Sequence, residues 1–144
     1  MSRKPPADRG QFRVWRRLTT RWADNDAYGH VNNTVFYQWF DSAVNGWLIE
    51  QGLLNVASGD PIALVVGTHC TYAEPLTFPQ DVDVGLAIAQ LGGSSMCYRI
   101  GIFAAGASTA AAEGEFIHVM VDRSTRRPVG IPENWRVALT AIRT

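Results

Sequence analysis

"RWADNDAYGHVNN", residues 21–33, runs directly into "TVFYQWFDSAVNGWLIEQG", residues 34–52, and the junction between the two decides the fold. The second stretch repeats apolar residues at helical spacing, with Phe36, Phe40, Ala43, Val44, Trp47 and Leu48 on one face. Asn32 or Asn33 can cap its start and Gly52 its end. Tyr37 and Trp39 widen the apolar stripe almost to the full circumference, which predicts a long helix enclosed by other structure. The first stretch gathers Asp24, Asp26, Gly29 and His30 just ahead of that helix, where backbone N–H groups have no intrahelical acceptor.

The segments on either side read as β-structure. Residues 11–22, "QFRVWRRLTTRW", alternate well enough for a first strand, with Phe12, Val14, Arg16, Leu18, Thr20 and Trp22 on one face. Residues 62–73 form an apolar-rich run, and "DVDVGLAI" places Val82, Val84, Leu86 and Ile88 on one side. Gly92-Gly93 suits a hairpin turn into "SSMCYRIGIFA", and "ASTAAAEGEFIHVMVD" supplies a last long strand. Pro132 opens a short terminal helix, "PENWRVALTAIR". One strand, a long helix and then four strands in antiparallel succession make an α+β fold, most simply a sheet wrapped around one helix.

Composition narrows the functional classes. A chain of 144 residues with 47% apolar and 18% charged residues can bury the core of one domain. Residues 1–10 are polar, carry two prolines and have no apolar stretch, so they read as a mobile leader before a single domain over 11–144. Net charge is zero and the only basic block is the short Arg123 to Arg127 stretch, which argues against nucleic acid as a partner. No window is apolar enough for a membrane helix. Cys70 and Cys97 lie in strand-like segments without metal-type spacing and are expected as reduced, buried thiols, which fits the cytoplasm.

Site classes can be sorted on the same residues. Asp24, Asp26 and Gly29 superficially open a calcium loop, but Val35 stands where a bidentate glutamate is needed. The three histidines, His30, His69 and His118, are far apart and form no H-E-x-x-H, so no metal is expected. "GGSSM" is not G-x-S-x-G, and no strand-turn-helix surrounds it. Left to themselves, aspartates in such a loop ordinarily make turns and caps.

Taken together, "RWADNDAYGHVNNTVFYQWFD", "YAEPLTFPQDVDV" and "LGGSSMCYRI" resemble the hotdog-fold acyl-CoA thioesterases of the 4-hydroxybenzoyl-CoA thioesterase type, in which D-x-D-x-x-G precedes the central helix. The resemblance covers roughly residues 12–124. It implies an antiparallel sheet around a long central helix and hydrolysis of an acyl-CoA thioester to free acid and CoA, without metal or other cofactor. It also implies assembly as a homodimer or a dimer of dimers, with sites between protomers.

In residue terms the resemblance makes Asp26 the catalytic carboxylate, as nucleophile or general base, and the Asn33 N–H the oxyanion donor. Asp24 is expected to shape the loop, and His30 to fix its geometry or carry a proton. Gly29, Tyr37, Gly92, Gly93, Ser94 and Ser95 are expected to meet the substrate, the glycines and serines near the pantetheine and nucleotide of CoA. Glycines and serines stand here where the 4-hydroxybenzoyl-specific type carries basic residues, so that aryl specificity does not carry over. Arg99, Arg123, Arg126 and Arg127 are alternative phosphate partners. A hotdog hydratase or a non-catalytic acyl-CoA binding module are the competing readings; the first lacks its D-x-N-P-x-H-like stretch, and the second has no need of Asp26.

Overall fold

A computed structural model describes residues 4–144. Its elements run β1 (Val14–Thr19), α1 (Asn33–Glu50), β2 (Ile62–Tyr72), β3 (Asp81–Leu91), β4 (Ser95–Ala104), β5 (Ala112–Val121) and α2 (Glu133–Ala141). The five strands form one sheet in the order β1-β3-β4-β5-β2, antiparallel at every pairing. This is the hotdog arrangement, a sheet curled about a long helix.

The helix behaves as its pattern requires. Asn32 is the cap, its side chain accepting from Thr34 N–H, and Gly52 follows the end with φ 72°. Phe36, Trp39, Phe40, Ala43, Val44, Trp47 and Leu48 are buried against Val82, Val84, Leu86, Ile88, Tyr98, Ile100 and Ile102 of the sheet. Burying a side chain of that size contributes about 1.5–3 kcal/mol each, so the helix is held by its face rather than by propensity. Arg16 crosses α1 at Gly46, where a Cβ would stand 2.7 Å from the guanidinium, and reaches Glu50.

Four expectations need correcting. The strands do not follow one another across the sheet: β3, β4 and β5 are joined by short turns, whereas β2 lies beyond β5 at the far edge. The 18 residues of α1 carry the chain about 27 Å across the face from β1 at the opposite edge, and β5 offers the free edge that β2 takes up. Trp22 is no strand residue: β1 stops at Thr19, a turn of 3₁₀-helix spans Trp22–Asp24, and the indole is 75% exposed. Cys97 is buried as expected, but Cys70 is only half-buried; both are free thiols pushed up to about 11 by burial.

Phe12 also differs from expectation, because it precedes β1 and packs on the outer face of the sheet, away from α1. There it joins Ala7, Ala87, Phe103 and Ala110 in a second small cluster. Its ring lies over Gly85 and Gly101, which face each other across the β3–β4 pair; a Cβ at Gly101 would come within 2.5 Å of the ring. Of the segment 1–10, residues 1–3 lie outside the described residues. Ala7 is buried, pairs through its C=O with Ala110 N–H, and donates its own N–H to Glu113. Arg9 and Arg17 grip Asp83 from either side. Burial pushes that carboxyl up, but the two guanidiniums and the Gly106 N–H outweigh it and hold it at about 2.

Candidate active site

The loop before α1 is built by its own polar groups. Asp24 is buried, and its carboxylate accepts from the Arg21 N–H at 2.7 Å and from the Arg21 guanidinium at 2.8 and 3.0 Å, while its C=O accepts from Asn32 N–H. It closes the 3₁₀ turn and ties it to the cap of α1. Asn25 and Val31 then pair as a miniature hairpin, with Asp26 N–H donating to the His30 C=O at 2.7 Å. Gly29 takes φ 81°, which lets residues 26–30 turn back on themselves without the strain that a side chain would meet there.

At the tip of this hairpin Asp26 turns one carboxylate oxygen into the loop. Oδ1 accepts from the N–H groups of Tyr28 at 2.8 Å and His30 at 3.3 Å. Oδ2 makes no hydrogen bond among the described residues. The hairpin is stapled from across the cleft: Val31 N–H donates to the Leu76 C=O, Thr77 Oγ1 donates to the Gly29 C=O, and Phe78 N–H donates to Asn25 Oδ1.

A cleft of about 280 Å³ opens at the start of α1, lined by His30, Val31, Asn33, Phe36, Tyr72 and Glu74 among others. Asn33 is the first residue of the helix, and its N–H finds no acceptor among the described residues. Such an N–H, at the positive end of an 18-residue helix dipole, suits an oxygen that gains negative charge. Tyr72, at the end of the edge strand β2, donates through its hydroxyl to the Asn33 C=O at 3.3 Å and stands edge-on to Phe36. Loss of solvent, with smaller contributions from Cys70 and Tyr37, pushes the Tyr72 hydroxyl upward, so it stays protonated and a donor at neutral pH.

The sequence-chosen residues therefore fall into two groups. His30 and Asn33 line the cleft, and Asp26 and Gly29 belong to the hairpin that carries His30 to it. Tyr37 lies half-buried one turn along α1. Gly92, Gly93, Ser94 and Ser95 do not join them within one chain. Their turn lies at the far end of β3, eleven residues and about 33 Å from the end that meets the hairpin. It is bound instead to β5 and the C-terminal segment: Met120 N–H donates to Ser94, Ile131 N–H to Gly93, and Arg136 to Gly92.

Tyr72, Glu74 and Thr77 were not singled out from sequence. They sit in and after the edge strand, and nothing local in "YAEPLT" marks them as neighbours of a loop some 40 residues earlier. Of the arginines, Arg123 is occupied by the C=O groups of Val56, Ala57 and Gly59, and Arg99 by Gln11 and Glu113. Among the described residues no group of three or more His, Cys, Asp and Glu is arranged to hold a metal ion, and no helix is long and apolar enough to cross a membrane.

Comparison with known proteins gives this geometry a context. The family described as the thioesterase-like superfamily matches residues 20–139. The crystal structure of the PA5185 protein of Pseudomonas aeruginosa strain PAO1 superposes with TM-score 0.94 at 46% identity, covering 97% of this chain and 98% of that one. The PA2801 protein of Pseudomonas aeruginosa, named as a thioesterase candidate, is 28% identical, with TM-score 0.79 over 86% of this chain and 95% of that one. A 1,4-dihydroxy-2-naphthoyl-CoA thioesterase from Synechocystis, Slr0204, shares the fold at 22% identity, with TM-score 0.80 over 88% of this chain and 94% of its own. No curated protein matches the chain.

Proposed function

The chain belongs to the thioesterase-like superfamily and is a thioester hydrolase, and from that premise we propose that it cleaves an acyl-CoA to the free acid and CoA at the cleft before α1. The observation that carries this reading is a carboxylate with one oxygen uncommitted in the hairpin directly before α1, followed at the first residue of α1 by an N–H without an acceptor among the described residues. An ester-like carbonyl needs a group on each of these two sides.

In this mechanism the thioester oxygen lies at the Asn33 N–H, which strengthens its hold as the oxygen becomes an oxyanion. Asp26 Oδ2 either takes a proton from water as that water attacks the carbonyl carbon, or attacks the carbon itself to give an anhydride that water then opens. Collapse of the tetrahedral adduct breaks the C–S bond, the CoA thiolate leaves and takes up a proton, and the acid departs. No cofactor enters these steps. His30 holds the loop through its backbone, its N–H donating to Asp26 and its C=O accepting from it, and lines the cleft. Asp24 acts on structure, by fixing the loop.

The Gly92–Ser95 turn enters this reading through assembly. β2 is an 11-residue edge strand with Val65, Val66 and Tyr72 exposed, a surface that a second copy of the chain can cover by continuing the sheet. We read the protein as a cytoplasmic homodimer or dimer of dimers, in which the turn of one protomer can approach the cleft of another and meet CoA. The decisive experiment is thiol release by purified protein from short, medium, long and aromatic acyl-CoAs. Turnover of at least one is the expected result, and release from none of them overturns the reading in favour of an acyl-CoA binding module. Sedimentation decides the assembly, a fully active monomer being the result that refutes a composite site.

A further inference from the structure

The two peptide planes on either side of His30 each carry a hydrogen bond at both ends, and each links Asp26 to the segment that follows β2. In the plane between Gly29 and His30, the Gly29 C=O accepts from Thr77 Oγ1 at 2.8 Å and the His30 N–H donates to Asp26 Oδ1 at 3.3 Å. In the plane between His30 and Val31, the His30 C=O accepts from Asp26 N–H and the Val31 N–H donates to the Leu76 C=O, both at 2.7 Å. A trans peptide is rigid and points its C=O and N–H in opposite directions, so a group that holds one end aims the other. Leu76 therefore sets the main chain of Asp26, and the Thr77 hydroxyl sets a donor on its carboxylate.

That hydroxyl is itself held. Asn25 Nδ2 donates to its oxygen at 3.4 Å, Asn25 Oδ1 accepts from Phe78 N–H at 3.1 Å, and Thr77 N–H donates to Gln80 Oε1 at 2.9 Å. With Asn25 on the oxygen, the hydroxyl proton is left for an acceptor. Of the two within reach, the Gly29 C=O at 2.8 Å is nearer than the Phe78 C=O at 3.3 Å. Leu76 is buried in the same core as Val31, which makes the segment a firm support.

Asp26 Oδ1 thus has two donors, the Tyr28 N–H at 2.8 Å and the His30 N–H. Two donors on one oxygen fix the plane of a carboxylate that a single donor lets turn, and such a turn would take the free Oδ2 off its line. Hydrogen bonds in series also strengthen one another, by roughly 10–30% per bond. We propose that Thr77 is a positioning residue for the reaction: through the Gly29–His30 peptide it orients the Asp26 carboxylate so that Oδ2 stays free for the attacking step. The inference rests on the acyl-CoA reading above. Thr77 does not line the cleft, so its effect falls on kcat rather than on KM.

The test is kcat and KM in Thr77→Val, which keeps the shape of the side chain and removes its donor, and in Thr77→Ser, which restores the donor. Thr77→Val should lower kcat about tenfold with KM within about twofold, and Thr77→Ser should stay within about twofold of wild type in both. Added to Asp26→Asn, Thr77→Val should change the residual kcat by less than about twofold, because the carboxylate it positions is gone. Unaltered kcat in Thr77→Val, a loss confined to KM, a Thr77→Ser variant equally impaired, or the same loss in the Asp26→Asn background overturns the positioning role and leaves the thioesterase reading intact. Should Thr77→Val not fold, Thr77→Ala removes the same donor without a branched side chain and is read by the same outcomes. If wild type cleaves no acyl-CoA, it is the thioesterase reading that fails. The His30 amide proton resonance then decides the bracing of Asp26: an upfield move in Thr77→Val but not in Thr77→Ser supports it, and an unmoved resonance overturns it.

Discussion

His118 should make the stability of this protein fall steeply between neutral and mildly acidic pH. It lies on the inner face of β5, 2% exposed, with its ring edge-on to Tyr98 and Phe116 at 5.5 and 5.0 Å between centroids. Neither His118 Nδ1 nor Tyr98 Oη has a hydrogen-bond partner among the described residues. Burial pulls the imidazole down from its ordinary 6.5 to about 4. The unfolded chain therefore binds a proton at His118 below 6.5 that the folded chain refuses until about 4, and stability is lost as pH falls through that window. Each pH unit within the window is worth about 1.4 kcal/mol, so going from pH 7 to pH 5 costs about 2 kcal/mol. Urea unfolding at the two pH values, followed by tryptophan fluorescence, measures it. His118→Phe keeps an aromatic ring among aromatic neighbours and removes the titration, so its stability should vary less between the two pH values by about that amount. Equal pH dependence in wild type and variant would refute the argument.

Other consequences concern the site and the outer face. Asp26→Asn should lower kcat by about 10²-fold or more with the fold and assembly retained, whereas Asp24→Asn should spare kcat far more and instead lower the melting temperature by weakening its bonds to Arg21. His30→Asn should lower kcat far less than Asp26→Asn; a loss as large as that of Asp26→Asn would give the His30 ring a direct part in the chemistry. Gly101→Val should cost about 1–3 kcal/mol by thermal or urea unfolding, since its side chain enters the space of the Phe12 ring. Adding Phe12→Ala should cost less in that background than in wild type, and strict additivity would show that the two positions do not meet.

Periodicity along the chain determined the long helix, a cap at Asn32 or Asn33 and an end at Gly52, the inward residues of β3 and the terminal helix after Pro132, because each is a local pattern read over neighbouring residues, while the structure chose Asn32 as the cap. Motif likeness likewise placed Asp24, Asp26, Gly29, His30 and Asn33 in one loop at the helix start. Tertiary structure alone decided what depends on residues distant in sequence. β2 pairs with β5 because α1 carries the chain from one sheet edge to the other, and no residue in β2 encodes that choice by itself. Phe12 looked like a partner of Val14 on one strand face, yet the two glycines opposite each other in β3 and β4 make room for its ring on the other side of the sheet. Tyr72 and Glu74 reach the cleft, and Gly92 to Ser95 stay away from it, because the two ends of an antiparallel sheet are separated by the full length of its strands. Alternation along a chain tells which face a residue takes, but which end of the sheet it reaches, and beside which neighbour, is set only when the strands are paired.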